Sequence, residues 1–238
     1  MTLTLHLHPL ASFCHKVLVA LYENGTPFEA RIVDFSGGPE LDRLAALWPV
    51  GKIPVLEDGA RGRIVAETTI IIDYLDRHHP GARRLVPEDP EAAREARLWD
   101  RVFDLYIHAP MQKIVTDRLR PESARDAFGV EEARATLATA YAMADRHLEK
   151  RRWACGDDVS MADCAAAPAL FYAGIVAPFA DAHPHLSAYF ERLVERPSVR
   201  RVIDEARPFF PHFPYVDAMP ARFRNAHFNE GRPADVEP

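Results

Sequence analysis

Five residues in two short stretches could grip one small zwitterionic ligand. Lys52, Ile53 and Pro54 follow Gly51 in a turn, and Glu67 and Thr68 stand where an apolar helix opens. An Ile-Pro bond is among the few peptide bonds that adopt cis at a cost of only about 0.5–1 kcal/mol. A cis turn there would leave the Ile53 N–H and C=O unpaired at a strand edge, open to the backbone of an extended peptide. Lys52 beside it supplies a cation for a carboxylate. Glu67 can accept from an ammonium, while Thr68 offers a hydroxyl and a helix-terminal N–H to a second carboxylate. Singly, Lys52 reads as a solvated turn lysine and Thr68 as a plain N-cap. Together they fit a ligand with a peptide middle, one terminal carboxylate and an α-amino-acid head.

The elements that must hold these stations follow from the pattern around them. Val55-Leu56 and Arg63 to Ala66 read as two short strands separated by an Asp58-Gly59 turn. A helix opens at Thr68-Thr69 and runs to His78 with Ile71, Ile72 and Leu75 inward. Upstream, Leu3, Leu5 and Leu7 alternate with polar residues, which predicts a first strand with one buried face. His6 and His8 share the other face and are expected to be partly exposed; with no third ligand near, a metal site is disfavoured. A turn at Pro9 to Ala11, a helix from Ser12 to Glu23 stopped by Asn24-Gly25, and a second strand from Phe28 to Phe35 complete a βαβ opening. Ser12, at the mouth of that helix, suits an N-cap.

Lys52-Ile53-Pro54, Glu67-Thr68 and Ser12 together resemble the glutathione site of the soluble glutathione transferase family, nearest its bacterial-type, serine-dependent (theta- and zeta-like) members. Glutathione is a tripeptide of the form just described. The resemblance runs to about Arg207 and implies an α/β thioredoxin-like N-terminal domain followed by an all-α helical domain. It implies glutathione as co-substrate, a hydrogen bond from Ser12 to its sulfur, an electrophilic small-molecule acceptor, a cytoplasmic setting and a homodimer. In redox relatives the same turn holds Cys-x-x-Cys. Aligned on Lys16, this chain has Ala11 and Cys14 there, so the nucleophilic thiol is missing and Cys14 is expected to be a small core residue. No tyrosine lies in the first strand or turn to replace Ser12. The site also resembles that of maleylacetoacetate isomerases, although the doubled serine before a cysteine seen there is here Ala11-Ser12-Phe13. The histidine that some serine-type members place on the glycyl end has no obvious counterpart around Pro39 to Asp42. Glutathione-dependent isomerisation or dehalogenation therefore stays open as an alternative, as does a non-catalytic dimeric binding or regulatory module on the same fold.

The remaining chain is helical in period. A proline-rich connector at residues 83–90 separates a first unit, residues 1–82, from a second, residues 91–238. Trp99, Phe103 and Tyr106 fall on one stripe and Leu98, Val102 and Leu105 on the next, predicting a long helix that Pro110 should kink. The resemblance places this helix on the acceptor pocket and the dimer interface, with Tyr106 and Met111 facing the acceptor. Further helices are expected over Val130 to Lys150, Pro184 to Glu195 and Ser198 to Ala206. Ser160 and Asp163 have capping-box spacing before a charge-free run, Cys164 to Ala180, which reads as a buried core helix. The tail carries Phe209, Phe210, Phe213, Tyr215, Phe223 and Phe228, too many aromatics for a free linker, and is expected to pack on the domain.

Composition sets the outer bounds. The 238 residues are 48% hydrophobic, enough for two cores, and a net charge of −6 gives no electrostatic footprint for nucleic acid or an acidic membrane. The N-terminus lacks the pattern of a signal peptide. Cys14, Cys155 and Cys164 form neither a disulfide framework nor a metal-ligand spacing, which suits a reducing compartment.

Overall fold

The computed structural model describes residues 3–225. Its first unit is a four-stranded mixed sheet of order β2-β1-β3-β4, built from β1 (Leu3–Leu7), β2 (Phe28–Ile32), β3 (Val55–Asp58) and β4 (Arg63–Ala66). β1 runs parallel to β2 and antiparallel to β3, with Leu5 opposite Leu56 and His6 opposite Val55. The parallel pair requires a crossover, which α1 (Ser12–Glu23) provides. Helix α3 (Thr68–His78) follows β4 directly. Leu5, Leu7, Leu56, Val17, Leu21, Ile71 and Ile72 meet in the main core. This is the thioredoxin-like arrangement.

Helix α2 (Pro39–Leu47) was not expected from the sequence. It opens with Pro39 in its first turn, Glu40 and Asp42 at its positive end, and buries Leu44 against Val33 and Val55. It therefore covers the second face of the sheet. For that reason His6, expected to be partly exposed, is buried, its Nδ1 3.8 Å from Glu40 and its Nε2 3.6 Å from Glu57. The strand expected to reach Phe35 ends at Ile32.

The second unit is helical: α4 (Pro90–Val102), a π-helical stretch Phe103–His108, α5 (Ala109–Arg118), α6 (Ala127–Leu148), α7 (Met161–Val176), α8 (Pro184–Glu195) and α9 (Pro197–Ala206). Helix α7 is buried almost throughout, and its Ser160–Asp163 capping box is complete. Asp163 further accepts from Ala154 N–H at 2.9 Å and Tyr189 O–H at 2.7 Å, so it anchors three segments. No helix among the described residues is long and apolar enough to cross a membrane. Phe210, Phe213 and Phe223 of the tail are buried on the helical unit; Phe228 lies outside the described residues.

The helix from Pro90 to Arg118 is continuous, but its regular ladder breaks one turn before Pro110. Ala109 N–H donates to the Asp104 carbonyl, five residues back rather than four. Pro110 has no N–H to continue an i−4 ladder, and the wider turn accommodates that loss.

Candidate functional site

A cleft of about 270 Å³ opens where the two units meet, and all five residues of the turn and helix stations line it: Lys52, Ile53, Pro54, Glu67 and Thr68. The Ile53-Pro54 bond is cis. Ile53 also packs on the satellite core of α2 beside Trp48, so the turn and the end of α2 form one wall. Glu67 adopts φ 67°, a left-handed conformation uncommon outside glycine, at the N-cap position of α3. Thr68 follows as the first residue of the helix and is buried; Glu67 and Lys52 are exposed to the cleft mouth. Cation, backbone edge, carboxylate and helix N-terminus are thus set along one groove.

Ser12 is buried at the first position of α1, but it does not cap the helix. Ala11 occupies the N-cap, with no side-chain hydrogen bond there. The Ser12 hydroxyl turns instead toward the helical unit, where Oγ lies 2.6 Å from His108 Nε2 and accepts from Gln112 Nε2–H at 3.3 Å. His108 is buried at the end of the π-helical stretch and stacks on Phe13, with ring centroids 3.7 Å apart. Burial, reinforced by the charge of Lys16, pushes its pKa down to about 3, so the ring is neutral near pH 7.

Beneath the cleft floor, four charges neutralise one another. Lys16 Nζ, fully buried on α1, lies 2.5 Å from Asp100 Oδ1 and 2.7 Å from Asp104 Oδ2. Thr69 on α3 donates to Asp100 Oδ2 at 2.6 Å, and the Arg101 guanidinium reaches Thr69, Asp100 and Asp104. Burial, with the Asp100 charge adding to it, holds the Asp104 carboxyl above the usual carboxylate range against the pull of Lys16 and Arg101. Arg101 and Asp104 line the cleft, while Lys16 and Asp100 stand behind them.

Phe13, Trp48, Leu105, Ala109 and Gln112 line the rest of the cleft beside the five stations. The expectation of Tyr106 and Met111 there is corrected. Met111 is 2% exposed within the helical core, and half-exposed Tyr106 borders a separate surface hollow with Thr136, Ala140 and Met143. The widened turn puts Leu105, rather than Tyr106, on the inner face. No tail residue described here lines the cleft. Cys14 is fully buried, and burial pushes its thiol up to about 12, so it is inert core.

Sequence reasoning missed His108, Gln112, Arg101, Asp104, Phe13 and Trp48. A fully buried lysine one turn into an apolar helix was the available signal for the charge network, since such a group demands acidic partners.

Comparison with known proteins covers both units. Residues 5–83 match the family model described as glutathione S-transferase, N-terminal domain, and residues 105–197 the model described as glutathione S-transferase, C-terminal domain. Glutathione S-transferase 3 of Zea mays is 30% identical over 213 residues, 84% of this chain and 93% of that protein. Glutathione S-transferase GstB of Escherichia coli is 28% identical over 79% of this chain and 91% of its own length. A solved glutathione S-transferase from Methylobacterium radiotolerans, in complex with glutathione sulfonate, superposes with a TM-score of 0.75 at 28% identity, covering 85% of this chain and 94% of the other.

Proposed function

The chain belongs to the glutathione S-transferase family, and from that premise we propose that it is a serine-dependent glutathione transferase whose tripeptide lies along the cleft from Lys52 to Thr68. The observation that carries this reading is the convergence of all five stations on one groove, with Ser12 buried just behind its wall, next to the lining residue Phe13 and hydrogen-bonded to the lining residue Gln112. Lys52 pairs with the glycyl carboxylate, the Ile53 backbone with the peptide, Glu67 with the ammonium, and Thr68 with the γ-glutamyl carboxylate at the positive end of α3.

Ser12 then donates its O–H to the glutathione sulfur. Lowering a thiol pKa from about 8.5 by two units requires about 2.7 kcal/mol of preference for the thiolate. A hydrogen bond to a charged group contributes about 1.5–3 kcal/mol, and the N-terminus of α1 adds about 0.3–1 kcal/mol. These suffice without a general base, and the thiol proton leaves to solvent through the open cleft. The thiolate attacks an electrophilic carbon of an acceptor held against Phe13, Trp48, Leu105 and Ala109, forming the C–S bond as the leaving group departs with its electron pair.

Three free cysteines suit a reducing cytosol. A homodimer would cover the exposed apolar side chains Leu98 and Tyr106 of the helical unit and Ile70 of α3.

Calorimetric titration with glutathione, paired with turnover of a generic aromatic electrophile, tests the reading. Wild type should bind and turn over, and Ser12→Ala should bind but raise the pKa of the bound thiol. Absence of binding at millimolar glutathione overturns it; equal thiol pKa values remove Ser12 from the chemistry.

A further inference from the structure

We infer that His108 and Gln112 are positioning residues that aim the Ser12 hydroxyl proton at the substrate sulfur, acting as paired donors to Ser12 Oγ. The inference rests on the glutathione-transferase reading above and adds to it what orients its serine.

The argument is one of counting donors and acceptors. Ser12 Oγ has one proton and two lone pairs. Gln112 Nε2–H donates to it at 3.3 Å. His108 Nε2 stands 2.6 Å away, close enough for a strong hydrogen bond in either sense. The neutral ring carries one proton, and its other nitrogen, Nδ1, is buried with no hydrogen-bond partner. If Ser12 donated to Nε2, the ring proton would sit on Nδ1, stranded in the core, and the serine proton would be turned away from the cleft. If Nε2–H donates, only a lone pair is stranded at Nδ1. Oγ then holds two donated protons, and its own O–H is the single group free to turn toward the ligand. The chain from imidazole N–H through the hydroxyl to the sulfur runs in one direction, so each hydrogen bond polarises the next.

Charge around the ring excludes the alternative of a general base. The charged or titratable groups acting on His108 are Lys16 and His15, and both disfavour the imidazolium, as burial does. A thiol proton relayed through Ser12 would have to rest on a ring that resists protonation until about pH 3. His108 is therefore a fixed donor. Phe13 keeps it fixed: the two rings lie within 7° of parallel, which prevents the imidazole from swinging Nε2 off the serine. Because both donors come from the helical unit and Ser12 from the sheet unit, the hydroxyl is oriented only when the two units are docked.

The test measures the thiol pKa of bound glutathione by ultraviolet absorbance of the thiolate in His108→Phe, His108→Gln and Gln112→Met, each also in the Ser12→Ala background. His108→Phe keeps the stack on Phe13 but removes the donor, and should raise the bound thiol pKa by about half a unit to one unit, a roughly three- to tenfold loss of thiolate below that pKa. His108→Gln restores an N–H near the Nε2 position and should recover part of the shift. Gln112→Met, at a half-buried position on the cleft wall, should give a smaller shift of the same sign and serves if His108→Phe fails to fold. In Ser12→Ala the same changes should leave the thiol pKa where Ser12→Ala alone puts it. Shifts that persist without the Ser12 hydroxyl, or folded variants with the wild-type thiol pKa, overturn the inference and leave the glutathione-transferase reading standing. Failure of wild type to bind glutathione overturns both.

Discussion

Lys16 and Asp104 belong to different units of the molecule, yet the Lys16 ammonium lies 2.7 Å from the Asp104 carboxylate with neither side chain more than 3% exposed. With Asp100 and Thr69 they form the polar joint between sheet and helices. Such a joint is held by balance: each charge is tolerable only while its partners remain. Lys16→Met should therefore cost about 3–5 kcal/mol, by leaving two buried carboxylates with only the half-exposed Arg101 as their cation. Urea melts of wild type and variant, compared at a pH where both are folded, measure it.

Acid should weaken the fold well before carboxylates titrate. His15, whose Nε2 meets the Pro9 carbonyl at 2.5 Å, is held by burial at a pKa of about 4, and His108 at about 3. Both lie below the unfolded value, so the unfolded chain takes up protons first as pH falls. Their contribution is complete above about pH 6.5 and is lost as pH drops through 6.5 toward 4 and 3. At pH 5 each should already cost about 2 kcal/mol relative to pH 8. A stability profile by denaturant melts should fall over that interval, and His15→Asn should flatten part of it. A level profile from pH 8 to 5 would contradict the burial of these two rings.

Asp163 gathers hydrogen bonds from Ser160 N–H and O–H, Ala154 N–H and Tyr189 O–H. Asp163→Ala strands several of these donors in the core, and should destabilise the protein by at least about 3 kcal/mol. Thermal unfolding of the variant reads this directly, with Asp163→Asn expected to retain part of the loss as a weaker acceptor.

The two sides of the cleft should respond differently in kinetics. Thr68→Val, which keeps shape but removes the hydroxyl at the mouth of α3, should raise KM for glutathione roughly tenfold, equivalent to about 1.4 kcal/mol. Leu105→Ala should raise KM for an apolar acceptor while leaving that for glutathione unchanged. Tyr106→Phe should alter neither, since Tyr106 faces the other hollow. Steady-state kinetics with both substrates varied distinguishes the three.

What could be read in advance was whatever local chemistry dictates. The stations at Lys52 to Pro54 and at Glu67 and Thr68 lie within seventeen residues, and their meeting needs only a hairpin. The alternation of Leu3, Leu5 and Leu7 gave the first strand, yet misjudged His6, because alternation reports one buried face and cannot say that α2 covers the other. Helix α2 itself had a signal, Pro39 followed by Leu41, Leu44 and Leu47, hidden behind two glycines that read as loop. His108 and Ser12 are 96 residues apart, and nothing in either neighbourhood encodes the other. Tyr106 was misplaced for a related reason: helical wheels assume an even period, and the period changes at Phe103.

That change of period has a consequence for how the molecule tolerates insertions and losses. One surplus residue in the turn ending at His108 offsets everything downstream by about 100° from where an uninterrupted α-helix would put it. Deleting a single residue of the π-helical stretch between Phe103 and His108 would remove the surplus and swing Gln112 away from Ser12. Pro110 would then sit in a regular ladder that it cannot join, and the helix would present a different stripe to the sheet unit. The surplus residue thus works as a phase setter, and the same composition in unbroken helical register would fold into a scaffold whose two halves meet without an aligned hydroxyl between them.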